Sequence, residues 1–233
     1  MLELITAERA QFQVYIVLSL AVTICAAILY YYDRDIYEPF FGRLNPLLVV
    51  VLVSVLGFLL LAFLLARGWF SIYQKHLQGL AIAGGLALLF ALLMILVDSR
   101  FPLPEDINRP LPQALFFYPS IAFVVDILFH VLPLALILFV LTALPGNLSF
   151  ERIIWPTILL VALLEPLFQT SLSVNRSGSP WLTGYIALHI FLINLTQLAL
   201  FKRYDFVTMY SFRLVYYALW HILWGVIRLR ILF

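Results

Sequence analysis

The feature that most constrains this chain is the length of its apolar runs. Seven stretches, at about residues 11–32, 46–67, 78–97, 115–144, 152–173, 181–201 and 205–228, are predominantly apolar. About 20 such residues in a helix cross the ~30 Å hydrocarbon core of a bilayer. Lipid offers no hydrogen-bond partner to an open backbone, so each run must satisfy its own peptide groups, and these runs lack the alternation of barrel strands. The expectation is an all-α, polytopic membrane helix bundle of about seven spans. Composition agrees: 64% of the 233 residues are hydrophobic and 11% charged, where a soluble domain carries about a quarter charged.

The connections are short and polar, so residues 1–233 read as a single membrane domain. "DRDIYEPFFGRLNP" joins the first two spans, "DSRFPLPEDINRPLP" the third and fourth, and "SVNRSGSP" the fifth and sixth. The fourth run is too long for one straight crossing, and Pro119 and Pro133 are expected to trim or kink it. The first ten residues carry Glu3, Glu8 and Arg9 ahead of a run long enough to span, so no cleavable leader is read there. Six Lys and Arg flank the spans on one side and seven on the other, which leaves orientation unassigned. The basic residues are scattered singly, so lipid is the expected partner and nucleic acid is not. The lone Cys25 reads as a small apolar filler. The triplets starting at Asn147 and Asn175 fit the glycosylation pattern but carry no weight alone.

Against this background the ionisable residues at membrane depth stand out, since each costs about 2.5–3.5 kcal/mol on insertion scales and faces a protein interior when it occurs. They are Asp126 and His130, Glu165, His189, and Arg213 with His221. Four-residue spacing puts partners on one helix face: Asp126 with His130, Glu165 with Gln169, Tyr185 with His189, and Arg213 with Tyr217 and His221. Pro166 follows Glu165 and frees a preceding carbonyl. Each of the last four spans thus shows a polar stripe. The pattern predicts a polar pocket enclosed by residues 115–230, with residues 1–110 as apolar packing helices. Plainer readings stand beside this one. Glu165 can simply neutralise Arg213, the histidines can be interhelical glue, and Asp126–His130 can be a local pair. Asn194, about 140° around its helix from His189, reads as glue, and the aromatics of "VYYALWHILWG" as packing and interfacial anchors.

Three of these stretches resemble the CAAX-protease and bacteriocin-processing (CPBP) superfamily of intramembrane endopeptidases. Its first motif is Glu-Glu-x-x-x-Arg, and "LEPLFQT" aligns with it, Glu165 taking the second glutamate. Tyr185-Ile-Ala-Leu-His189 matches Phe-x-x-x-His with tyrosine for phenylalanine. His221-Ile-Leu-Trp-Gly225 keeps the histidine of His-x-x-x-Asn. Leu164, Gln169 and Gly225 depart from the pattern. The resemblance implies hydrolysis of membrane-associated peptides or proteins by Glu165, His189 and His221, supported by Asp126, His130, Gln169, Tyr185, Arg213 and Tyr217. A carboxylate would take a proton from water while histidines orient it and stabilise the oxyanion. The cofactor is left unknown: a glutamate and two histidines can also hold zinc, though no metal is assigned. The alternatives are a silent relative that holds partner helices in the same pocket, and a proton-coupled transporter.

Overall fold

The computed structural model describes residues 2–75, 77–143, 149–173 and 179–233, with only the backbone for Leu2, Arg34 and residues 170–173. The polar connection at 174–178 and both glycosylation-type asparagines, Asn147 and Asn175, lie outside the described residues. All regular structure among the described residues is helical. Among the described residues six helices are long and apolar enough to cross a membrane: α1 (Arg9–Tyr32), α2 (Pro46–Ala66), α3 (Leu77–Arg100), α4 (Ala114–Ala143), α7 (Pro180–Arg203) and α8 (Phe206–Ile231). Between α4 and α7 stand α5 (Phe150–Ala162) and α6 (Leu164–Ser173).

The pair α5 and α6 occupies the place of the expected span 152–173, in two pieces broken at Leu163. Pro166 accounts for the break. It has no N–H for the carbonyl of Ala162 one turn earlier, and its ring crowds that carbonyl. The orphaned oxygen is satisfied from the neighbouring helix, where Asn194 Nδ2 donates to Ala162 O at 3.3 Å. The pair still runs antiparallel along α7, with Phe150 under the Lys202 ammonium at one end and Ala162 beside Asn194 in the middle. Neither piece is by itself long enough to cross a membrane, so the expected seventh span is present only as this interrupted pair.

In α4 the irregularity takes a form that the prolines alone did not specify. Residues Asp126–Val131 are π-helical. The stretch closes with the Leu132 N–H on Ile127 O, five residues back, directly before Pro133. Widening the turn there relieves the carbonyl that the proline ring would otherwise meet. A second π-helical stretch, Ala218–Trp224, lies in α8 and contains no proline.

Large apolar side chains such as Val17, Leu52, Leu96 and Leu167 cover the outside of the bundle. This is the surface of an integral membrane protein in contact with lipid. Inside, α8 is the central element, packed against α3, α4 and α7. Buried Gly79, Ala83, Ala87 and Ala91 recur every four residues along α3, and such small residues let two helix backbones approach closely. The start of α8 is fixed by its N-cap. Asp205 Oδ1 accepts from Thr208 N and Oδ2 from Gln74 N, both at 2.6 Å. Phe206 and Val207 N–H groups donate to Ser71 O and Ile72 O. This anchorage sets the rotation of α8, and with it the direction in which Arg213 points.

Candidate functional site

Arg213, two turns into α8, is 2% exposed and meets side chains from three other helices. Its Nε donates to Asp126 Oδ1 at 2.7 Å. Its Nη2 and Nη1 clamp Glu165, at 3.0 Å to Oε2 and 3.2 Å to Oε1. Further contacts run from Nη1 to Tyr217 OH at 3.2 Å and from Nη2 to Asn194 Oδ1 at 3.4 Å. A guanidinium fork suits this two-pronged grip on a carboxylate better than an ammonium would.

The carboxylates carry additional partners. Gln169 Nε2 donates to Glu165 Oε1 at 2.8 Å. Asp126 Oδ1 also faces His130 Nδ1 at 3.2 Å and accepts from Gln197 Nε2 at 3.2 Å. The His130 ring lies between the two acids, with Nε2 3.8 Å from Glu165 Oε2. Three buried atoms of this set, Asp126 Oδ2, His130 Nε2 and Gln197 Oε1, have no hydrogen-bond partner. Both helix irregularities serve the cluster. The π stretch of α4 carries Asp126 and His130, and the break before α6 delivers Glu165.

The remaining residues expected at a site lie elsewhere. His189 is buried with Nε2 3.3 Å from Tyr216 OH, its ring edge-on to Phe90 of α3 and stacked with Tyr185. The Tyr185 hydroxyl donates to Leu93 O, also on α3. The stripe of α7 headed by these two residues therefore packs on α3, not on α4 or α6, and α7 reaches Arg213 through Asn194. His221 Nδ1 pairs with Asn108 Oδ1 at 2.8 Å and its ring stacks on Tyr118. Gly225 permits this arrangement, because a Cβ there would sit 3.1 Å from Asn108 Nδ2. An asparagine from the proline-rich loop thus fills the space beside position 225. Tyr217 links the two regions, with its hydroxyl on Arg213 and its ring 5.0 Å from that of His221.

A second buried ion pair was not anticipated. Arg228 and Asp98 had the appearance of loop residues beyond the span ends, yet both are fully buried. Arg228 Nε donates to Asp98 Oδ2 at 2.8 Å and Nη2 to Oδ1 at 3.0 Å. Asp98 also accepts from Trp224 Nε1 and Leu103 N, and Arg228 donates to Leu103 O and Pro104 O. A carboxylate at the third span's edge, facing a cationic last turn on α8, was the available signal. Among the described residues no group of three His, Cys, Asp or Glu side chains is placed to hold a metal ion.

Fold and cluster together define the class: an all-α, polytopic integral membrane protein built around a buried arginine–carboxylate network. Comparison with protein-family models, with curated proteins and with solved structures returns no match.

Proposed function

We propose that this protein is a non-hydrolytic membrane scaffold related to the CAAX-protease and bacteriocin-processing superfamily, one that holds membrane-anchored polypeptide segments without cutting them. The observation that carries this reading is the state of Glu165. Both of its oxygens are engaged, by Arg213 and by Gln169. A general base must reach the proton it removes, and here Oε1 is taken by Arg213 and Gln169 while Oε2 is turned to Arg213 and His130 inside a buried cluster. The departures at Leu164, Gln169 and Gly225 point the same way. So do His189 and His221, which engage Tyr216 and Asn108 rather than Glu165.

A second reading, intramembrane peptidase, is favoured by His221. A histidine whose Nδ1–H is held by an amide oxygen presents Nε2 in a defined orientation, as hydrolytic and metal-bound histidines do. The experiment reconstitutes the purified chain in vesicles with fluorescent prenylated peptides and single-span membrane polypeptides, and measures cleavage and capture together. The scaffold reading expects capture without cleavage, unaltered by His221→Ala. Cleavage that falls about 10²–10⁴-fold in Glu165→Gln or His221→Ala would replace it with the peptidase.

A further inference from the structure

The Arg213 cluster does not balance its charge. One guanidinium faces two carboxylates, Asp126 and Glu165, and all three side chains are buried. Arginine stays protonated, so two ionised acids would leave a net negative charge in the membrane interior. Placing an unpaired charge there is costly, and proteins avoid it by moving a proton. Among the described residues no other ion faces the cluster. α2 has no ionisable residue at all, and α5 carries only Glu151 and Arg152, both exposed at its start. α7 offers the amides of Asn194 and Gln197, α6 the amide of Gln169, and α8 the phenols of Tyr217 and Tyr210, the latter donating to Pro119 O. The remaining group is His130.

The geometry around His130 points to the same deficit. An ionised carboxylate oxygen only accepts hydrogen bonds. Asp126 Oδ1 lies 3.2 Å from Nδ1, so Nδ1 must carry hydrogen to sit there. Nε2, on the far side of the ring, faces Glu165 Oε2 at 3.8 Å and has no hydrogen-bond partner. With a bare lone pair on Nε2, two electron-rich atoms oppose each other across 3.8 Å. With a second N–H, the same gap is an attraction and the cluster is neutral.

We infer that the cluster is a binding site for one exchangeable proton, held on His130 between Asp126 and Glu165 and tying α6 to α4. The proton's arrival breaks and makes no other covalent bond. It adds to the Nε2 lone pair, and its loss returns it to water. The consequence falls on the interrupted helix. Glu165 belongs to the ten-residue α6, set apart from α5 by the break at Leu163, so loss of the proton weakens one of the links holding α6 against the bundle. The site is independent of whether the protein cuts or only holds its polypeptide partners.

The sign of the linkage follows from the charge count: the folded cluster holds one proton that the same side chains, separated in an unfolded chain, do not share, so stability is lost as that proton is withdrawn at rising pH. The test measures unfolding of the whole chain in detergent micelles between about pH 7 and 9, alongside His130→Gln and Glu165→Gln. The wild-type unfolding constant should rise by up to about tenfold per pH unit more than in either variant. His130→Gln removes the proton carrier, and Glu165→Gln removes the excess charge. Nitrogen-15 spectra of histidine-labelled wild type, assigned through His76→Gln, His189→Gln and His221→Gln, should show both His130 nitrogens protonated at neutral pH. This second measurement decides the matter if the His130 variant fails to fold. Equal pH slopes in wild type and variants, a neutral imidazole signal, or stabilisation by sodium at constant ionic strength would each overturn the proton site.

Discussion

Helix α8 carries two buried arginines fifteen positions apart, about 22 Å along the helix at 1.5 Å per residue, and they are built on opposite principles. At Arg228 one arginine meets one aspartate. Both Asp98 oxygens accept two bonds each, and the guanidinium spends its other donors on Leu103 and Pro104 carbonyls. That site is closed and electrically balanced, and it pins the proline-rich loop onto the end of α8. At Arg213 one arginine meets two acids, with a histidine between them and three buried polar atoms left over. Structural staples are expected to satisfy every buried group. By that rule the Arg213 cluster, with three buried polar atoms lacking a protein partner, is less fully satisfied than the Arg228 pair.

The largest effect should come from breaking the unbalanced cluster. Arg213→Met leaves two buried carboxylates with only His130 between them and should cost about 3–5 kcal/mol or more, read as loss of folded yield and of cooperative unfolding in detergent. Adding Asp126→Asn and Glu165→Gln to Arg213→Met removes every charge and should recover much of that loss. Failure to recover would mean that the cluster's shape, not its charge, sustains the fold.

The balanced staple should respond differently. Arg228→Met alone leaves Asp98 unpaired and is expected to cost about 3–5 kcal/mol. Asp98→Leu with Arg228→Met together should cost less, about 1–3 kcal/mol, because Trp224 Nε1 and Leu103 N still lose their acceptor. Thermal unfolding of the singles and the double in one detergent sharpens the contrast. If the double is worse than either single, the staple is more than a neutralised pair.

Smaller effects separate the regions between the two arginines. Gly225→Ala places a methyl 3.1 Å from Asn108 Nδ2 and should cost about 1–2 kcal/mol through overpacking. It should also shift the His221 ring resonances as the bond to Asn108 lengthens, while leaving those of His130 in place. Gln169→Ala removes one bond from a neutral amide to the Glu165 carboxylate and, because solvent reaches Gln169, should cost no more than about 1.5 kcal/mol, the low end for a bond to a charged group. A larger loss would show that Gln169, and not Arg213 alone, holds Glu165.

Much of the architecture was legible in the sequence because lipid leaves a chain few choices. Runs of about twenty apolar residues without alternation must be helices, whatever they pack against. Local polar pairs were legible for the same kind of reason: Asp126 with His130, and Glu165 with Gln169, meet because four-residue spacing alone stacks them. Even the disturbance at Pro166 follows from a missing N–H. What this arithmetic could not supply is the partner across the bundle. Asn194 and Gln197 carry no periodic signal that sends them to Arg213 and Asp126 rather than to lipid, and Asn108 sits in a loop where nothing local points to His221. Asp98 and Arg228 look like ordinary span-end charges until the end of α3 and the last turns of α8 come together around them. Helix existence and short-range pairing depend on solvent and on backbone geometry, both written into neighbouring residues. Which polar side chains share one buried site depends on the rotation and registry of whole helices, set by caps such as Asp205, small residues such as Ala87 and the widened turn at 126–131, and only the tertiary structure decides those.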